Sequence, residues 1–307
     1  MKAFISVVVP AFNEESNVSI LAEKVVALLE KEYHYEIIFI DDGSKDKTLE
    51  TLKSLHEHNK NIHYLSFSRN FGHQSALKAG LDKAEGDCVI SMDADLQHPP
   101  HLIPVMLEKW QQGYDIVYTQ RADSAELSFF KRKTSHWFYT FMNKVSDIEL
   151  ENGTADFRLL DRKVVEVVKN SQEYNLFLRG FIAWIGFKQY KLPYQPEPRF
   201  SGQSKYTFKK MLSLALNGIT SFSVKPLQIA TFLGSFISLF AFLYGIYALI
   251  IFFFTDSAVP GWTSVLVSVL FIGGLQLLVL GIIGEYLGKI LLQSKQRADY
   301  FLRESSK

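Results

Sequence analysis

The 307-residue chain carries 33 Lys and Arg against 32 Asp and Glu, a formal net charge of +1, and 48% hydrophobic residues. That apolar content excludes a disordered chain. The near-neutral balance averages unlike regions: residues 1–198 sum to −5, 199–225 to +5, 226–288 to −2 and 289–307 to +3. An acidic major part argues against a nucleic-acid partner, and residues 226–255 and 257–284, which carry no charged side chain, argue against a purely soluble protein.

The chain starts with Met-Lys and a short apolar run, 4–12, interrupted by Pro10 and ended by Asn13-Glu14-Glu15. A secretory signal has a longer apolar core and a small-residue cleavage site, so this run reads as a first strand. Further Ile- and Val-rich runs follow at 36–40, 62–67, 88–92 and 115–118. Between them lie helical spacings: Val18, Leu21, Val25, Leu28; Leu49, Leu52, Leu55; Leu77, Leu81, Ala84; and Leu102, Val105, Met106. Strands alternating with helices predict right-handed crossovers and a mostly parallel α/β sheet covered on both faces. In such sheets ligands bind beyond the carboxyl ends of the strands. The lone cysteine, Cys88, falls in the fourth strand and has no internal disulfide partner, which suits a cytosolic domain.

Residues 199–225 hold five basic and no acidic side chains. From Phe208, apolar residues recur at Met211, Leu212, Ala215 and Ile219, with Lys209, Ser213, Asn217 and Thr220 opposite, a basic amphipathic helix suited to an anionic membrane surface. The two charge-free segments that follow each exceed the ~20 residues needed to cross a bilayer. Their connection lacks Lys and Arg, whereas Lys205, Lys209, Lys210 and Lys225 precede the pair and Lys289, Lys295 and Arg297 follow it. The positive-inside rule then puts both termini and the domain in the cytoplasm. The expected organisation is a cytosolic α/β domain at 1–198, a basic juxtamembrane segment at 199–225, two membrane helices within 226–288 and a cytosolic tail at 289–307. Gly273, Gly274, Gly281, Gly284 and Gly288 leave a small-residue stripe for close helix packing, which would suit a homo-oligomer.

The predicted strand ends carry acids. Asp93 and Asp95 directly follow the fourth strand; positions two apart point the same way, so both carboxylates can converge on one cation. A hard ion such as Mg²⁺ takes a few carboxylates, keeps waters and completes its shell with phosphate oxygens. A second acidic pair, Asp41-Asp42, ends the second strand. Asp42 and Glu14 could accept hydrogen bonds from a nucleobase and a ribose, or serve only as acids at helix N-termini. Neither G-x-G-x-x-G after the first strand nor G-x-x-x-x-G-K-[ST] occurs, so the glycine-rich phosphate cradles are absent.

The runs Val8-Val9-Pro10-Ala11-Phe12-Asn13-Glu14-Glu15, Asp41-Asp42-Gly43-Ser44, Ser68-Arg69-Asn70-Phe71-Gly72-His73 and Met92-Asp93-Ala94-Asp95-Leu96-Gln97-His98-Pro99-Pro100 together resemble family 2 glycosyltransferases of the GT-A fold. Asp156-Phe157-Arg158-Leu159-Leu160-Asp161-Arg162, Arg179-Gly180 and Arg199-Phe200-Ser201-Gly202-Gln203-Ser204-Lys205-Tyr206 extend the likeness toward the polyprenyl-phosphate sugar synthases. With two following membrane helices, the pattern is most similar to the bactoprenol glucosyltransferase branch, beside the dolichyl-phosphate mannose synthases. The resemblance implies a donor site of Pro10, Phe12, Glu14, Ile40, Asp42, Asp93, Ala94 and Gln97. It implies Mg²⁺ or Mn²⁺ on Asp93, Asp95 and Gln97, and phosphate contacts from Arg121, Arg132, Arg199 and Lys205, with Lys131 or Lys133 able to replace Arg132. Asp156 matches the acid usually assigned to catalysis, with Asp95 beside it. The implied partners are a nucleotide sugar and a membrane polyprenyl phosphate such as undecaprenyl phosphate.

A phosphate monoester is mostly dianionic at neutral pH and needs no strong base. In-line displacement would invert the anomeric centre, with Asp156 orienting groups rather than deprotonating. UDP-glucose is the first expectation for the donor, with UDP-N-acetylglucosamine and GDP-mannose open. A nucleotide-sugar-sensing membrane regulator is the alternative of another class.

Overall fold

A computed structural model describes residues 2–121, 154–171, 173, 177–195, 223–254 and 261–307. The expectations for Arg132 and its lysine neighbours, Arg199, Lys205 and the amphipathic segment fall outside these residues.

The elements run β1 (Phe4–Ala11), α1 (Val18–Leu29), β2 (His34–Asp41), α2 (Thr48–His58), β3 (Ile62–Phe67), α3 (His73–Lys83), β4 (Cys88–Ser91), a 3-10 turn at Pro100–Leu102, α4 (Ile103–Gln111), β5 (Ile116–Arg121), β6 (Thr154–Asp161), α5 (Arg162–Asn170), α6 (Leu178–Trp184), β7 (Gln189–Tyr194), α7 (Lys225–Phe254), α8 (Trp262–Ser294) and β8 (Leu302–Ser305). Among the described residues, all eight strands form one sheet in the order β7-β5-β6-β4-β1-β2-β3-β8. β1 pairs in parallel with both β2 and β4, whereas β6 and β8 run antiparallel to their neighbours. The expected mostly parallel sheet is present, and the five strand runs read from the sequence are its β1 to β5.

Strand alternation divides the core. Val7, Val9, Ile37 and Phe39 join the cluster under α1 and α4; Val8, Ile38 and Ile40 join the one under α3, α5 and α6. These side chains are fully buried, as β-branched and aromatic residues on a two-sided sheet should be. α1 faces the sheet with Val18, Leu21, Ala22, Val25 and Leu29, one stripe of a 3.6-residue period. α3 approaches especially closely at Gly80, where a Cβ would lie 2.1 Å from Val8 Cγ1 and 2.8 Å from Ile40 Cδ1.

α7 and α8 are long and apolar enough to cross a membrane, with mean hydropathies of 1.8 and 2.3 over Lys225–Tyr244 and Val267–Ser294. Large apolar side chains such as Phe232, Phe254 and Leu277 are 74%, 82% and 72% exposed, so these helices bury little within the chain. α8 keeps Glu285 inside the helix and runs on past residue 288, the expected end of the second membrane helix, to take in Lys289. Its 33 residues span roughly 50 Å, longer than a bilayer core. At Gly273, Gly274, Gly281, Gly284 and Gly288 an added Cβ would meet nothing within 4 Å, so packing inside this chain does not require that stripe. Beyond α8, where only a tail was expected, the chain returns to the domain and pairs β8 with the edge strand β3.

Candidate active site

β1 and β4 lie side by side and parallel, while the chain continues from β1 to β2 on the opposite flank. Their carboxyl ends therefore open at a topological switch point, where α/β sheets bind ligands. Pro10 stands near the end of β1 here and Phe12 follows the strand, and Met92 to Asp95 leave β4.

One rim is two loops tied together. Asn13, in the left-handed region at φ 56°, accepts the Lys45 N–H and donates its own N–H to Ser44 Oγ, each at 2.9 Å. Thr48 Oγ1 accepts the Glu14 N–H at 2.9 Å, and Glu15 accepts the Lys47 N–H at 2.9 Å. The Glu14 carboxylate accepts from Asn17 Nδ2 at 2.6 Å. Asp42 is buried, and its carboxylate accepts the N–H groups of Phe71 at 2.7 Å and Gly72 at 3.0 Å. Burial pushes its pKa up despite those donors. The loop it holds crosses Gly43 so closely that a Cβ there would sit 2.5 Å from the Arg69 carbonyl carbon; with φ at +70°, only glycine fits without strain.

Across the opening, the Asp93 N–H donates to His98 Nδ1 at 3.0 Å, which leaves the proton of a neutral ring on Nε2, 3.7 Å from Asp93 Oδ2. His98 is 1% exposed, stacks on Phe157 at 5.3 Å and meets the edge of Tyr194; burial holds its pKa below the usual value. Asp95 Oδ1 accepts the Gln97 N–H at 3.1 Å, closing a turn through Leu96 at φ 61°. Arg121, exposed at the end of β5, donates from Nε to Tyr194 Oη at 3.2 Å.

Asp156 sits inside β6 and not in a loop, because β6 runs antiparallel between β4 and β5 and brings its start to their carboxyl ends. Arg179 grips it with two bonds, Nε to Oδ1 at 2.7 Å and Nη2 to Oδ2 at 2.6 Å. The buried Arg158 adds a 3.4 Å contact, and His73 Nε2, at the start of α3, lies 3.2 Å from Oδ2 and 3.5 Å from Asp93 Oδ1. Burial alone would raise the Asp156 pKa, but the charge and hydrogen bonds of Arg179, with His73, hold it well below the usual carboxylate range. Burial would lower the His73 pKa, yet Asp156 and Asp93 raise it to about 9. Its side chain keeps 40% of its surface exposed, so that burial is incomplete and water screens the pairing.

The structure thus gathers Asp93, Asp156 and Arg121 around one wall and Glu14 and Asp42 along the other. The Ile40 side chain is not part of it: fully buried, it packs toward α3. Ala94 and Pro10 are also buried, so a ligand would meet backbone at those positions. His73, Arg158, Arg179, His98 and Tyr194 complete the cluster. The first four stand in motifs that carry the resemblance, but pattern alone assigned them no role.

Among the described residues no group of three or more His, Cys, Asp or Glu side chains is arranged to hold a metal ion. Asp93 Oδ1 is nevertheless a buried carboxylate oxygen without a hydrogen-bond donor. That fits an ion taking only one or two protein carboxylates and completing its shell with water and phosphate.

A mostly parallel sheet whose D-x-D strand end faces a clamped acid and arginines, without a glycine-rich cradle, defines a glycosyltransferase of the GT-A class. The chain belongs to glycosyl transferase family 2, whose profile matches residues 6–168. It is 44% identical over 300 residues to the bactoprenol glucosyl transferase of Shigella phage SfV, covering 97% of this chain and 98% of that one. It is 43% identical over 304 residues to a prophage bactoprenol glucosyl transferase homolog of Escherichia coli (strain K12), covering 99% of each. The uncharacterized glycosyltransferase YkcC of Bacillus subtilis (strain 168) is 42% identical over 301 residues, 98% of this chain and 93% of that one.

Proposed function

We propose that this glycosyltransferase moves a sugar, glucose from UDP-glucose as first choice, onto a membrane polyprenyl phosphate such as undecaprenyl phosphate, with inversion at the anomeric carbon. The observation that carries the reading is the likeness to bactoprenol glucosyl transferases along 97% of the chain, the two apolar helices included. UDP-N-acetylglucosamine and GDP-mannose are the alternative donors.

The acceptor is a phosphate monoester, whose second pKa near ~6 leaves it mostly dianionic at neutral pH. No base is then required, and the Asp156 site is a poor one: its carboxylate is held far below neutrality by Arg179 and His73. Asp156 instead fixes the guanidinium of Arg179, 31% exposed, where it can meet a phosphate. Asp93 and Asp95, with Gln97 beside them, would hold Mg²⁺ or Mn²⁺. Such an ion, when bound, supplies positive charge to the departing nucleoside diphosphate. Glu14 and the Asp42 loop take the nucleoside side, and Arg121, with Arg132, Arg199 and Lys205, takes phosphate groups.

α7 and α8 form a membrane hairpin with the catalytic domain and both termini in the cytoplasm. Placement of β8, which follows α8, in the same sheet as β1 supports that topology, because both lie on one side of whatever the helices cross. A homo-oligomer through the glycine stripe of α8 fits its open surface. The experiment is a donor panel: purified protein, Mg²⁺ or Mn²⁺, polyprenyl phosphate and each labelled nucleotide sugar, with label counted in the lipid phase. Label from UDP-glucose alone supports the first choice; label from another donor alone overturns it. Nucleotide binding with no turnover of any donor favours a regulatory protein.

A further inference from the structure

The chain that leaves α8 does not stop at the membrane side of the molecule. It runs along the edge of β3, pairing Phe67 with Leu302, Ser66 with Glu304 and Leu65 with Ser305. At the foot of the sheet Tyr64 and Ser306 exchange hydrogen bonds, 2.8 Å from the Tyr64 N–H to Ser306 Oγ and 3.0 Å from the Ser306 N–H to the Tyr64 carbonyl. Beside them the Lys307 ammonium pairs with Glu36. Glu36 is 3% exposed and already accepts from Ser6 Oγ at 2.6 Å and the Glu85 N–H at 2.8 Å. A buried carboxylate wants a counter-charge, and the far end of this strap provides one.

At the other end the strap reaches the site. The Tyr300 ring stacks on Phe67 at 5.1 Å and 14°, and its hydroxyl lies 3.4 Å from Asp82 Oδ2. Phe67 in turn meets Phe71 edge-on at 5.7 Å. The Phe301 carbonyl accepts the Ser68 N–H at 2.9 Å. The segment so held, 68–72, gives its Phe71 and Gly72 amides to Asp42, and the next residue is His73, between Asp93 and Asp156.

We infer that the segment following α8 is a positioning strap for the active site, with Tyr300 as its key positioning residue: by stacking on Phe67 it sets loop 68–72, and with it Asp42 and His73. The inference rests on the site described under the proposed function. It makes the exit of the second apolar helix and the donor site mechanically continuous.

The test uses the full-length protein in detergent micelles, with Tyr300→Ala, Tyr300→Phe and, as control, Lys53→Ala, which breaks only the exposed Lys53–Glu304 pair. Two readouts are taken: hydrogen exchange of residues 68–76 against β1, and KM against kcat for the nucleotide sugar. Tyr300→Ala should speed exchange at Phe71 to His73 by about tenfold or more while β1 is unchanged, because a locally opened loop exchanges without global unfolding. Its donor KM should rise. Tyr300→Phe, which keeps the ring, and Lys53→Ala should match the wild type. Unchanged exchange at 68–76, or faster exchange spread evenly over the sheet, would overturn the inference. If the wild type transferred no sugar, the exchange readout would still decide the strap's role, so the two failures are separable.

Discussion

Asp156→Asn isolates the charge of the most heavily clamped acid in the site. Asparagine keeps the shape and one acceptor oxygen but loses the counter-charge for Arg179 at 2.6 and 2.7 Å and for the buried Arg158 at 3.4 Å. Breaking a buried ion pair from one side costs about 3–5 kcal/mol. With Arg179 31% exposed, solvent screening reduces the expected loss to about 2–3 kcal/mol. A domain stable by about 5–15 kcal/mol would still fold, with a lowered melting temperature. A misdirected Arg179 should slow transfer by about 10²-fold, the scale for losing one charge-stabilising donor. Because the wild-type carboxylate already titrates far below neutrality, the acid limb of the rate profile should belong to the acceptor phosphate near pH ~6 and persist in the variant. The assays are thermal melts and initial transfer rates from acid to neutral pH. An unchanged melting temperature with all activity lost, or disappearance of the acid limb, would show that Asp156 acts on the substrate directly and refute the reasoning.

Three further outcomes follow from the same contacts. His73, its pKa raised to about 9, stabilises the fold fully below its ordinary value near ~6.5 and loses that contribution as pH rises through about 9. In metal-free buffer, denaturant titrations should therefore show His73→Gln flattening the fall in stability between those limits; an unchanged slope would rule out the pairing. Gly80→Ala would place a methyl 2.1 Å from Val8 Cγ1, so soluble yield and melting temperature should drop sharply, and near-wild-type stability would contradict the close approach of α3. Ile40→Val should cost about 0.5–1.5 kcal/mol of stability, with the donor KM unchanged; a KM effect without a stability loss would return Ile40 to the donor site.

The sheet was legible because its first five strands are short β-branched runs bounded by turn residues, and the acids at their ends advertise a cation site. Asp93, Asp95, Asp42 and Glu14 stand at strand ends for that reason. β6 was harder to read. Its run Thr154-Ala155-Asp156-Phe157-Arg158 alternates charged and apolar residues, yet the whole strand is buried except at its ends, since Asp156 and Arg158 satisfy each other and Arg179 inside the protein. A pattern that treats charge as a surface mark misses such a pair. β8 was hidden for the opposite reason: a four-residue, largely exposed edge strand has little hydrophobic signature, and its place depends on Tyr300, Ser306 and Lys307 finding partners more than two hundred residues earlier. Ile40 shows another limit of pattern: the strand's alternation turns its side chain into the core, so a ligand would meet only its backbone, as at Pro10 and Ala94.

The central claim, that this site glycosylates a lipid phosphate, is tested most directly by following labelled sugar from nucleotide to lipid in membranes carrying the full chain. With polyprenyl phosphate and Mg²⁺ or Mn²⁺ present, label should enter the organic phase as a β-linked phosphate ester, and Asp95→Ala should abolish it. No transfer to lipid from any donor, or undiminished transfer by Asp95→Ala, would contradict the account.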